Sequence, residues 1–98
     1  MKYISNSFSL QMVEAKNGLI GFKELSEDDF KFKTRNATSV VGHFDTAKLL
    51  NVKFNRKNIS LKKGDVLFVA QVIGGRLPEG ATTLPNGFKF KFMQIEVL

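Results

Sequence analysis

The spacing of apolar and polar positions marks out the elements of this chain. Lys2 to Ser5 reads as a short opening strand, ended by the polar pair Asn6-Ser7. Leu10, Met12 and Val13 are spaced as the core-facing side of a short turn or helix. Asn17-Gly18 is a turn signal, and Leu19 to Leu25 reads as the next strand, placed to pair with the first. Ser26-Glu27-Asp28-Asp29 has the form of a helix start: a hydroxyl to cap free N–H groups, then three acids at the positive end of the helix dipole. That helix ends between Lys33 and Asn36, with Phe30 as its main core contact. Ala37 to Val41 links it to Gly42-His43, and a second helix follows through Ala47, Leu49 and Leu50.

The second half is richer in strand. Arg56 to Leu61 is expected to be a strand, Lys62-Lys63-Gly64-Asp65 a hairpin turn, and Val66 to Ile73 the next strand. Val66-Leu67-Phe68-Val69-Ala70 is apolar at odd and even positions alike, as in a central strand covered on both faces. Gly74 to Gly80 is a loop. Lys89 to Val97 closes the chain, with Phe88, Phe90 and Phe92 on one phase and Met93, Ile95 and Val97 on the other. That shift implies either a bulge or a change of covering partner. The sum is one α+β domain over residues 1–98, a small mixed sheet of about five strands with short flanking helices.

Composition narrows the class. The 98 residues hold 15 Lys and Arg against 9 Asp and Glu, a formal charge of +6, and the isoelectric point is near 9.8. Such a body attracts polyanions, so nucleic acid or a nucleotide is the natural partner class. The chain has no cysteine. It therefore has no thiol nucleophile, no thiolate metal site and no disulfide framework, which fits a cytoplasmic setting. No apolar run is long enough to span a bilayer, and no signal-peptide pattern opens the chain; no membrane partner is expected.

Chemistry has few places to reside. His43 is the one histidine, and histidine alone has an ordinary pKa near neutrality. A glycine precedes it and a helix follows, so it stands at a helix N-terminus, where exposed N–H groups favour an anion. The alternative is a purely structural residue, packed against or capping that helix. Three clusters lie at strand or helix ends: Asn6, Ser7 and Ser9; Gly42-His43; and Arg76 with Glu79. One histidine with scattered carboxylates does not make a metal site, and neither Ser7 nor Ser9 has nucleophile-elbow context. Metal-free, cofactor-free acid–base work remains, with His43 as acid or base, Arg76 gripping a phosphate and Glu79 orienting the imidazole.

These segments also carry a likeness. Tyr3 to Leu10, Val41-Gly42-His43-Phe44-Asp45-Thr46-Ala47, Asn55-Arg56, Gly64-Asp65, and Arg76-Leu77-Pro78-Glu79-Gly80 together resemble the viral ring nucleases, the type III anti-CRISPR proteins of archaeal viruses and phages, with relatives in bacterial mobile elements. The likeness lies in the order and spacing of motifs over nearly the whole chain. It implies a homodimer that binds cyclic tetra-adenylate, the messenger of type III CRISPR immunity. It implies cleavage to linear di-adenylate ending in a 2′,3′-cyclic phosphate. The catalytic pair falls on His43 and Glu79, and ligand contacts on Asn6, Ser9, Gly42, Arg56 and Arg76. The chain departs from the family at Phe44, where others carry a polar or acidic residue. The Gly74-Gly75 loop is one residue longer than in some archaeal members, and the segment after Leu84 is short and broken by Pro85-Asn86-Gly87.

Two rivals stand beside this reading. A nucleic-acid-binding regulator, DNA or RNA, is suggested by the charge and by Phe-Lys-Phe-Lys-Phe at residues 88–92, although that run also reads as an amphipathic strand with its lysines in water. A non-catalytic sponge for the cyclic messenger is the other.

Overall fold

Residues 1–13 and 19–98 are described by a computed structural model; the expected turn at Asn17-Gly18 lies outside them. Among them, in order, are β1 (Lys2–Ser5), a 3₁₀ turn (Leu10–Met12), β2 (Ile20–Leu25), α1 (Glu27–Lys33), β3 (Thr38–Ser39), α2 (Phe44–Leu50), β4 (Val66–Ile73) and β5 (Lys89–Val97). The sheet runs β2-β5-β4-β1-β3. β1 is parallel to both β3 and β4, while β5 is antiparallel to β4 and to β2.

The helices form where their ends are satisfied. Ser26 Oγ accepts the Asp29 N–H at 3.1 Å and Glu27, Asp28 and Asp29 fill the first turn of α1. Lys31 and Lys33 sit in its last turn, complementing the dipole. Phe30 is buried from α1 against Phe68 and Phe92. The second helix stops at Asn51, which takes a left-handed conformation at φ 56°, a role asparagine tolerates.

The core lies on both faces of the sheet. Ile4, Phe68 and Ala70, with Phe90 and Phe92, pack beneath Phe30 and Ala47 of the helices. The opposite phase, Leu67, Val69, Ile95 and Val97, packs under Leu61, with Phe8, Met12 and Ile59 around it. β4 is thus covered on both sides, as its unbroken apolar run predicts. The phase change in β5 is a change of covering partner: its register with β4 runs without interruption from Ile73↔Lys89 to Val66↔Glu96, so there is no bulge. Phe90 and Phe92 are half-buried among the helices and only Lys89 and Lys91 are exposed, which accounts for the Phe-Lys alternation structurally.

Five expectations are corrected. β1 and β2 do not pair; β1 lies between β3 and β4, and β2 pairs with β5. Residues 56–60 form no strand; the apolar alternation of Ile59 and Leu61 reflects packing onto the sheet face, with one isolated bridge, Val13↔Leu61. Lys62–Asp65 turns the chain, but into β4, whose neighbours are β5 and β1, so it closes no hairpin. Leu10 points to water, 70% exposed, while Met12 and Val13 pack inward. The fifth strand is β3, two residues in the segment read as a link. Among the described residues no helix is long and apolar enough to cross a membrane.

Candidate functional site

Parallel strands leave their carboxyl ends on one side of a sheet, and β3, β1 and β4 are adjacent and parallel. The chain leaving β1 therefore carries Asn6, the chain leaving β3 carries Gly42 and His43, and the chain leaving β4 carries Arg76, all to the same side. Ligands of open α/β sheets gather outside such strand ends. The convergence of three segments far apart in sequence follows from topology alone.

Two cavities open there, with Asn6 in both. One of about 210 Å³ is lined by Asn6, His43, Thr46, Gln71, Arg76 and Leu77, with Val72. The other, about 590 Å³, is lined by Asn6, Ser7, Ser9, Gly42, Arg56 and Lys57, with Gln11, Asn58 and neighbouring apolar residues. Among the described residues the two linings hold Arg56, Lys57 and Arg76 and no carboxylate. A concave, cationic wall of this kind suits an anion with several phosphates.

His43 is held firmly. It is the N-cap of α2, and its Nδ1 accepts the Thr46 N–H at 3.2 Å, with Thr46 Oγ1 3.1 Å away. The structural role and the candidate chemical role therefore reside in one side chain. An Nδ1 that accepts a hydrogen bond places the proton of the neutral ring on Nε2. Were Nδ1 also protonated, it could no longer accept from Thr46 N–H, and the hydroxyl of Thr46 is the acceptor within reach. Thr46 is buried, so its side chain is positioned for either arrangement.

Arg56 is fixed by its Nε–H, which donates to Gly42 O at 2.8 Å. Gly42 itself is not sterically demanded: an added Cβ would meet only Arg56 Cγ, at 3.5 Å. The 74–80 loop differs. Gly74 has φ of 125°, and a Cβ there would lie 2.9 Å from Gly87 O and 3.0 Å from Phe88 Cα, so the loop closes only with glycine. The Gly80 N–H donates to Asp45 Oδ2 at 3.2 Å, tying this loop to the first turn of α2.

The structure thus brings Asn6, Ser9, Gly42, His43, Arg56 and Arg76 around two adjoining cavities. Glu79 is exposed and lines neither. Sequence reasoning missed Gln71, Gln11, Lys57 and Asn58. Gln71 carried a signal, as the first polar residue after an apolar run; Lys57 and Asn58 were hidden by reading their segment as strand. Among the described residues no three His, Asp or Glu side chains gather to hold a metal ion.

A protein-family model described as STIV B116-like matches residues 2–90. The chain belongs to the STIV B116-like family. Its fold is also that of a solved family namesake, B116 of Sulfolobus turreted icosahedral virus, with a TM-score of 0.84, 24% sequence identity and 97% of each chain covered. No curated protein matches the sequence.

Proposed function

We propose that this STIV B116-like protein is a metal-independent ring nuclease that binds cyclic tetra-adenylate and cleaves it to linear di-adenylate with a 2′,3′-cyclic phosphate, suppressing type III CRISPR immunity. The observation that carries the reading is the small cavity in which His43, Arg76 and Asn6 meet beside a second cationic cavity. The likeness of motif order to viral ring nucleases supplies the substrate.

In this reaction the ligand provides its own nucleophile. The ribose 2′-oxygen bonds to the adjacent phosphorus as the P–O5′ bond breaks, so proximity supplies much of the acceleration. The 2′-hydroxyl proton leaves to solvent, and the 5′-oxygen takes up a proton. His43 is the donor, through Nε2, an effect typically worth about 10²–10⁴-fold. A net donation requires the doubly protonated ring, so the Thr46 N–H is released and Nδ1–H turns to Thr46 Oγ1. Arg76 holds the phosphate, and Asn6, Ser9, Gly42 and Arg56 bind the rest of the ring. Glu79, on the exposed loop that Gly80 ties to the first turn of α2, is the candidate for orienting the protonated ring. A homodimer suits a four-fold ring, each protomer addressing one of two opposite phosphates.

The test is a single-turnover incubation with labelled cyclic tetra-adenylate in chelator. Conversion to linear di-adenylate by the wild type, lost in His43→Asn, is expected. Strict dependence on a divalent metal overturns the mechanism, and tight binding without cleavage makes the protein a sponge.

A further inference from the structure

Phe44 does not stand alone. It is 62% exposed, Phe54 is 41% exposed, and their ring centroids are 5.8 Å apart at 74°. A single exposed phenylalanine needs no explanation; a fixed pair beside a cationic cavity does. Phe44 opens α2 directly after His43, and Phe54 is anchored by its bridge to Val41. The elements that position the site therefore also position both rings.

Arg56 joins the pair to the site. Its guanidinium carbon lies 5.7 Å from the Phe54 centroid, within cation–π reach. Its Nε is committed to Gly42 O, and among the described residues its Nη groups have no protein partner. The same side chain lines the larger cavity. Aromatic faces in water, a planar cation beside them and a basic cavity behind are the chemistry that receives a base and its phosphate together.

We propose that Phe44 and Phe54 form a stacking platform for a base of a nucleotide ligand whose phosphate lies against Arg56. The proposal rests on the nucleotide reading of the site and adds a contact to it. Stacking on a π-face tolerates any base, so the platform contributes affinity and leaves base identity to the polar groups of the cavities.

The experiment uses two fluorescent probes, cyclic tetra-adenylate with one adenine replaced by 2-aminopurine and a linear dinucleotide carrying the same base. Binding is read by quenching in a His43→Asn background, which preserves the ring, and sedimentation of each variant is followed in parallel. Quenching is expected, with Phe44→Ala binding roughly 5- to 150-fold more weakly, the loss of about one stacked base. Phe44→Tyr restores binding, whereas Phe44→Leu, apolar but without a π-face, does not. Quenching of the linear probe alone, still dependent on Phe44, leaves the platform standing and removes the ring-nuclease reading. Equal binding by Phe44→Ala, full rescue by leucine, or no quenching of either probe overturns the platform. A change in sedimentation of ligand-free Phe44→Ala overturns it too, by making the pair a contact between copies.

Discussion

Substituting His43 by alanine and by asparagine separates what the imidazole does for the helix from what it does for the ligand. Nδ1 caps α2 through the Thr46 N–H at 3.2 Å. Losing an N-cap side chain costs about 1 kcal/mol, within a range of roughly 0.5–2. In a domain of this size about 1 kcal/mol lowers Tm by roughly 4–8 °C. His43→Ala should therefore melt lower by about that amount. Asparagine is among the best cap residues, so His43→Asn should melt within about 2 °C of wild type. Both should lose cleavage by about 10²–10⁴-fold, the usual worth of a positioned general acid. Thermal melts followed by circular dichroism, and single-turnover cleavage in chelator, give the two readouts. If His43→Asn cleaves at the wild-type rate, His43 is a cap and nothing more. If alanine and asparagine melt alike, the cap contributes nothing and the helix is held by packing alone.

Three further outcomes follow from the same geometry. Thr46→Val removes the hydroxyl 3.1 Å from Nδ1 but leaves the capping N–H; cleavage should fall about 10-fold or more with ligand Kd little changed, and an unchanged rate would exclude Thr46 from the proton path. Gly74→Ala should destabilise by about 1–3 kcal/mol in a denaturant titration, because its Cβ meets backbone at positive φ; Gly42→Ala, which meets only a flexible Arg56 Cγ, should stay within about 0.5 kcal/mol. Asp65 is held below the usual carboxylate range chiefly by the Lys62 N–H; burial opposes this, and the Met1 amino group and the Lys62 charge add to the lowering. Its lowered folded value means a contribution present at neutral pH and lost as pH falls through that value. Asp65→Asn should therefore melt lower than wild type at pH 7, and the gap should close in strong acid.

Much of the fold was legible because local signals agreed with the final packing. β1 and β5 have the bounds their patterns predict, and Ser26 caps α1 as its sequence implies. What failed was pairing. Neighbouring strands in sequence are the default partners, and nothing local to Lys2–Ser5 says that its neighbours are β3 and β4. The site showed the same division. Asn6, His43 and Arg76 could be singled out as polar residues at element ends, but their meeting depends on a parallel β3-β1-β4 order. Residues 56–60 misled because a period of two arises wherever alternate side chains press on a sheet, with or without a ladder.

The register has a consequence for how the chain is made. Lys2 pairs with Val66, and Ile20 pairs with Val97. β2 emerges from the ribosome without a partner and waits for the last strand, β1 has only the two-residue β3 until β4 arrives, and long-range pairing of this kind slows folding. β5 is the seam that joins the β2 edge to the rest of the sheet. A chain interrupted before residue 89 leaves β2 with no strand to pair and β4 with β1 alone. β4, whose carboxyl end leads to Arg76, thus gains its second long neighbour only with the last strand.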